Sequence, residues 1–275
     1  MNTCVEKLRM LAHGPRRSLG QNFLIDRNIL NRALDLAAPL VGANVVEIGS
    51  GLGILTEALL NAGANVYAVE CDQTLYDDLL HQLPPKWPNS LHLLLGDAVK
   101  SPRAGFAGGT YKVVANLPYA ISTPWLDGIL RGPLPESMTL LLQREAAQRF
   151  MAAKGAKMGA ISIRLSGAFQ SVHDLPVAPS CFFPRPKVES ALVHWARRKN
   201  PFIFSDRTHA LIRFLFTHRR KQLRGSIRRM APGADREILS KWLQSLADPT
   251  LRAEEITLSH WQYLEELFTS ICESG

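Results

Sequence analysis

The segment best equipped for chemistry is Asn116-Leu117-Pro118-Tyr119. The Asn116 carboxamide and the backbone carbonyl of Leu117 or Pro118 are acceptors that can take both N–H groups of an exocyclic amine. Held in this way, a nitrogen whose lone pair is delocalised into an aromatic ring can be aimed at an electrophile. Pro118 stiffens the turn, and Tyr119 offers a π-face on which an extruded base can stack. The plainer reading is an Asn–Pro turn from strand to helix with a packed tyrosine.

The surroundings decide between the two readings. Val45-Val46-Glu47-Ile48-Gly49-Ser50-Gly51-Leu52-Gly53 reads as a strand entering a glycine-rich turn that opens a helix. Its G-x-G-x-G spacing differs from the G-x-G-x-x-G of a dinucleotide site and favours a nucleoside ligand. The next strand ends in Glu70, where a carboxylate can accept two hydrogen bonds from a ribose diol. Leu91–Leu95 ends in Gly96-Asp97, within reach of an adenine amino group, although strand-end acids also serve as caps. Asn116 closes the fourth apolar run, where α/β topology puts a ligand-side loop.

The elements that must position these groups follow from periodicity. Short apolar runs at 44–48, 65–69, 91–95, 112–115, 138–142 and 191–195 alternate with amphipathic stretches, predicting an α/β fold around a mainly parallel sheet. After Arg197-Arg198-Lys199-Asn200-Pro201 the apolar spacing becomes helical throughout, predicting a small all-helical C-terminal domain. The boundary is read at 198, with a catalytic domain at 1–198 and a recognition domain at 199–275.

Composition narrows the classes. With 275 residues, 46% hydrophobic and 20% charged, the chain reads as folded and globular. A net charge of +8 favours a polyanionic partner. Cys4, Cys71, Cys181 and Cys272 are scattered without a CxxC pair, so no zinc site or disulfide framework is legible, and a reducing cytoplasm is expected. No stretch reaches the ~18 apolar residues of a membrane span. The first 17 residues, mildly basic with only Glu6 acidic, read as a chain terminus rather than an organellar address. Without sustained heptads, a monomer is expected.

Four segments give the chain a resemblance to the KsgA/RsmA-type ribosomal RNA adenine N6-dimethyltransferases. They are Gly20-Gln21-Asn22-Phe23-Leu24, Glu47–Gly53, Asn116–Tyr119 continuing as Ile121-Ser122-Thr123-Pro124, and Phe182-Phe183-Pro184-Arg185-Pro186-Lys187-Val188. The resemblance implies a Rossmann-like class I methyltransferase sheet and S-adenosylmethionine as cofactor, without a metal. It also implies cofactor contacts from Asn22, Leu24, Gly49, Glu70, Asp97 and Asn116, with Gly51 in the same turn, and an adenine sandwiched between Tyr119 and Phe182. Read by itself, Phe182 sits in a loop stiffened by Pro184 and Pro186, with Phe183 the better core candidate. Leu19 and Ala120 depart from the family, which often has an aromatic and an asparagine there.

Phe216-Thr217-His218-Arg219-Arg220-Lys221-Gln222-Leu223-Arg224 resembles the family's F-x-x-R-R-K-x-x-R stretch. On a helix Arg220 and Arg224 would share a face, and Arg219, Arg220, Lys221 and Arg224 could neutralise several phosphates. Arg16 and Arg17 add charge near the catalytic mouth. The reading is dimethylation of two adjacent adenosines near the 3' end of small-subunit (16S) ribosomal RNA, free or in a pre-30S particle, during ribosome biogenesis. The alternatives are a large-subunit adenine methyltransferase conferring macrolide resistance and a non-catalytic assembly factor. An NAD-dependent oxidoreductase is disfavoured by the glycine spacing and by the lack of a hydride-handling His or Tyr-Lys pair.

Overall fold

The computed structural model describes residues 4–248 and 250–272. The helices are α1 (Cys4–Met10), α2 (Arg27–Ala37), α3 (Ile54–Asn61), α4 (Gln73–Gln82), α5 (Ser122–Ile129), α6 (Arg144–Met151), α7 (Ala160–Ala168), α8 (Asp206–Thr217), α9 (Leu223–Arg228), α10 (Ala234–Gln244) and α11 (Leu258–Cys272). The strands are β1 (Phe23–Leu24), β2 (Asn44–Ile48), β3 (Asn65–Glu70), β4 (Leu91–Leu95), β5 (Lys112–Asn116), β6 (Ser137–Gln143), β7 (Phe169–Val177), β8 (Phe182–Phe183) and β9 (Ser190–Arg197).

Contacts divide the chain into two compact units. The first runs to Ile129 and adds Pro133–Ala147 and Gln170–Arg197; the second takes Leu130–Gly132, Gln148–Phe169 and the chain from Arg198. Residues 148–169 thus join the helical unit, across the single cut that the sequence suggests at 198. The reason is apolar packing: Met158 and Ile163 share a core with Leu211, Ile212 and Leu215 of α8.

In the first unit seven strands run in the order β4-β3-β2-β5-β6-β9-β7. The pairs β2–β3, β3–β4, β2–β5 and β5–β6 are parallel, while β9 is antiparallel to β6. Parallel strands are buried on both faces and read as continuous apolar runs. Val45, Val46 and Ile48 of β2 and Val113–Ala115 of β5 accordingly lie at 0–2% exposure. Burying each such Val or Ile side chain stabilises the fold by roughly 1.5–3 kcal/mol. Edge strand β7 gave no such signal, because its residues from Gln170 to Pro176 are exposed.

Helix starts follow capping chemistry. Asp26 Oδ1 accepts from the N–H groups of Asn28 (2.8 Å) and Ile29 (3.1 Å) to open α2, which buries Leu30, Ala33 and Ala37. In the second unit Ser205 caps α8 by accepting from Thr208 N–H at 3.2 Å. Its core centres on Trp242 and Trp261, stacked with centroids 4.9 Å apart, and Trp242 Nε1 donates to the His260 carbonyl at 2.7 Å. Among the described residues no helix is long and apolar enough to cross a membrane, and no cluster of His, Cys, Asp or Glu could hold a metal ion.

Candidate active site

The chain runs outward from β2 through β3 to β4, then returns to pair β5 on the other flank of β2. Such a reversal opens a crevice at the carboxyl ends of the strands. Gly49 follows β2, Glu70 ends β3, Asp97 follows β4 and Asn116 ends β5. All four line one cavity of about 310 Å³, within the range of small-molecule sites. Asn22, Gly51, Leu117, Pro118 and Tyr119 line it too, as do the two departures from the family pattern, Leu19 and Ala120.

The turn after β2 needs glycine for both conformation and space. Gly49 has φ +72°, and a Cβ there would come within 3.2 Å of the Pro118 ring; Gly51 has φ +57°, and its Cβ would meet the Phe23 ring at 3.1 Å. With no Cβ at either position the turn avoids both clashes and lines the cavity. Gly51 N–H then donates to Glu70 Oε2 at 2.8 Å.

Glu70 is 4% exposed, and its Oε1 also accepts from the N–H groups of Cys71 and Asp72, each at 2.9 Å. Burial pushes this carboxyl up, while the N–H groups of Asp72, Gly51 and Cys71 pull the other way. Three of its roughly four acceptor sites are taken, so one remains, on Oε2. As arranged, Glu70 can accept one ribose hydroxyl, not the two expected from the sequence. Asp97 is exposed, and its Oδ1 accepts from Val99 N–H at 2.8 Å.

Asn116 Nδ2 donates to the Asn22 carbonyl at 2.8 Å, leaving Oδ1 as the acceptor of the carboxamide. The Pro118 carbonyl accepts from Ile121 N–H at 3.1 Å and closes the turn that carries Tyr119. Tyr119 Oη and Ser190 Oγ lie 2.6 Å apart, which pins the ring by its far end.

Two expected residues lie elsewhere. Phe182 is 3% exposed and packs in the core with Leu24, Leu30, Val114 and Leu192, outside the Tyr119 cavity. The short β1–β8 ladder is responsible: Phe182 pairs with Leu24 and turns inward, so half-buried Phe183 is the more accessible ring, the reverse of the expectation. Leu24 is itself core and lines only a recess of about 30 Å³ beside Gly49 and Asn116.

Glu47 and Ser50 line the same recess, and Glu47 Oε2 and Ser50 Oγ are buried without hydrogen-bond partners. In the sequence Glu47 opens a segment shared with the family but carries no ligand signal of its own, because it lies within an apolar strand. Burial pushes its carboxyl to about 8; the Thr56 hydroxyl, near but itself unpaired, offsets this in part, and Glu70 adds to it.

The basic segment of the helical unit is also redistributed. Chain turns separate α8 from α9, so Arg220 and Arg224 do not share one helix. Arg219 is engaged within the unit, its Nε and Nη2 on Glu254 Oε2 and Nη2 also on the Ala156 carbonyl. Arg220, Lys221 and Arg224 are exposed. Arg16 is half-exposed with Nε 3.4 Å from Asp72, and the Arg17 side chain lies outside the described residues.

This sheet order, with a glycine turn after the first parallel strand and carboxylates after the next two, defines a Rossmann-like class I methyltransferase. The crystal structure of a dimethyladenosine transferase from Plasmodium falciparum has the same fold, with TM-score 0.73 at 22% identity, covering 90% of this chain and 98% of that one. A 23S rRNA methyltransferase, ErmE, gives TM-score 0.64 at 22% identity, over 90% of this chain and 100% of its own. Residues 12–266 match the family described as Ribosomal RNA adenine dimethylase, and the chain belongs to that family. The protein named Ribosomal RNA small subunit methyltransferase A from Opitutus terrae is 48% identical over 94% of this chain and 95% of its own. Its namesake from Xanthobacter autotrophicus is 38% identical over 93% and 90%.

Phe182→Ala is expected to cost about 3–5 kcal/mol of stability as a core deletion, and Tyr119→Ala much less, both read from urea denaturation. Glu47 keeps its proton in the folded chain at pH values where the unfolded chain has lost it. The stability that Glu47 contributes is therefore fully present below about 4.5 and is lost as pH rises toward about 8. Glu47→Gln should reduce the decline in Tm between pH 5 and 8, and an undiminished decline would show that Glu47 is ionised in the fold.

Proposed function

We propose that this chain methylates the N6 amine of two adjacent adenosines near the 3' end of small-subunit ribosomal RNA, with S-adenosylmethionine as cofactor. The observation that carries the reading is the Asn116 carboxamide, locked by its bond to the Asn22 carbonyl with Oδ1 left to accept. Leu117 is the second acceptor on this reading, because the Pro118 carbonyl already serves the turn. Together they hold both N–H groups of the amine and direct its lone pair out of the ring plane. Tyr119, tethered through its hydroxyl, supplies the face on which the base stacks. No second ring opposes it on this reading, since Phe182 is core.

The cavity fits a cationic nucleoside cofactor. One free acceptor site on Glu70, exposed Asp97 and the unpaired acid and hydroxyl of the recess all suit hydroxyl, amino and ammonium groups. Asn22, Gly49, Gly51, Glu70, Asp97 and Asn116 would hold it, with Leu24 at the recess. When bound, such a cofactor supplies an electrophilic methyl group on a positively charged sulfur.

The first unit is read as catalytic and the second as RNA-holding, with Arg220, Lys221 and Arg224 positioned to meet phosphates and Arg219 serving structure. The names of the 48% and 38% identical relatives favour the small subunit over the large, and a cytoplasmic site of action goes with that substrate on this reading.

Radiolabelled methyl transfer to small and large subunits that lack the modification, followed by nucleoside chromatography, tests the assignment. N6,N6-dimethyladenosine from the small subunit alone is the expected product; label confined to the large subunit would reverse the choice. Asn116→Ala should lower the rate at least ~100-fold while RNA affinity stays within a few-fold, and retained activity would remove its assigned role.

A further inference from the structure

Residues 18–23 form one wall of the cavity, yet they belong to an N-terminal arm rather than to the sheet. Beside the Asn116–Asn22 bond, the β1–β8 ladder and the ties from Lys7 to the Leu52 carbonyl and Asp78, a buried carboxylate gathers its middle residues. Asp72 has a side chain at 0% exposure, and its Oδ2 accepts from His13 Nε2 at 2.8 Å and Gln21 Nε2 at 3.0 Å, with Arg16 Nε at 3.4 Å. The His13 side chain is itself 3% exposed. Gln21 Oε1 in turn accepts from Arg16 N–H at 2.7 Å, so three arm residues close into one network around a single oxygen.

The other atoms of Asp72 point the network at the site. Its Oδ1 caps α4 by accepting from Thr74 N–H at 3.1 Å, and its own N–H donates to Glu70 Oε1 at 2.9 Å. The arm and the carboxylate at the end of β3 are thus joined through one residue. Burial by itself would raise the Asp72 carboxyl; the bonds from His13 and Gln21 and the charge of Arg16 hold it below its ordinary value, so it stays ionised and accepting.

We propose that Asp72 is a positioning residue for cofactor binding: a latch that holds the arm closed as the wall of the cavity and couples that closure to Glu70. This rests on the cofactor reading above. Because coupling between two equilibria is reciprocal, closure must raise cofactor affinity by the same factor by which cofactor protects the arm.

Asp72→Asn isolates the latch. Asparagine caps a helix as well as aspartate does, so α4 keeps its start, while an amide in place of Oδ2 cannot accept from His13, Gln21 and Arg16. With the full chain, S-adenosylhomocysteine affinity is measured by calorimetry, and arm closure by the rate of tryptic cleavage after Arg16 with and without that ligand. The expected result is an affinity loss of about tenfold or more, arm cleavage faster by a similar factor, and weaker protection by ligand than in the wild type. Gln21→Met, which removes the donor to Asp72 and the acceptor for Arg16 N–H at nearly constant volume, should give a change of about threefold in the same directions. It carries the test if Asp72→Asn does not fold. Unchanged affinity and cleavage in the variants would overturn the latch and leave the cofactor reading standing. A wild-type chain that binds no S-adenosylhomocysteine would overturn both.

Discussion

The parallel pairing of β2 with β3 on one flank and β5 on the other is the constraint on which the site depends. Asn44–Ile48 pairs in register with Asn65–Val69, and Val45 and Val46 pair with Lys112 and Val113. Because these strands run the same way, their carboxyl ends come out on one edge, and the reversal of strand order there leaves a crevice instead of a continuous turn. Glu70 and Asn116, far apart in the chain, become walls of one cavity. A shift of register in either pair would turn Glu70 or Asn116 to the opposite face.

Around that edge the protein concentrates acidic groups and treats each differently. Glu70 meets three backbone N–H groups and keeps one acceptor site. Asp72, two residues on, spends its side chain on the arm and a helix cap. Glu47, also buried, has an unpaired oxygen and a carboxyl raised to about 8 by burial. The same residue type in the same corner therefore has different available chemistry, set by how many donors reach each oxygen.

The helical unit shows a similar division among cations. Arg219 is committed to Glu254 and the Ala156 carbonyl, a structural bond between segments of that unit, while Arg220, Lys221 and Arg224 remain at the surface. A run of basic residues in sequence is thus not a run of equivalent phosphate ligands. The break between α8 and α9 distributes them over a turn, which carries Arg219, Arg220 and Lys221, and one helix, α9, which carries Arg224.

Much of the first unit was legible because its signals are local. Parallel strands buried on both faces announce themselves as apolar runs, G-x-G-x-G marks a turn that only glycine can make, and Asn-Leu-Pro-Tyr stands at the end of a strand. These features sufficed for the sheet, the cavity-lining residues Gly49, Glu70, Asp97, Asn116 and Tyr119, and a helical second part. Edge strand β7 escaped because Gln170–Pro176 are exposed, polar and apolar alike, and carry no alternation. Which ring of Phe182-Phe183 turns inward was not legible either, since a two-residue ladder with Leu24 decides it. Nor was the packing of residues 148–169 with the later helices, the ion pair of Arg219, or the arm network on Asp72. Each of these depends on contacts between residues distant in the chain, where the geometry of the partner, and not the type of the residue, determines which atoms are engaged.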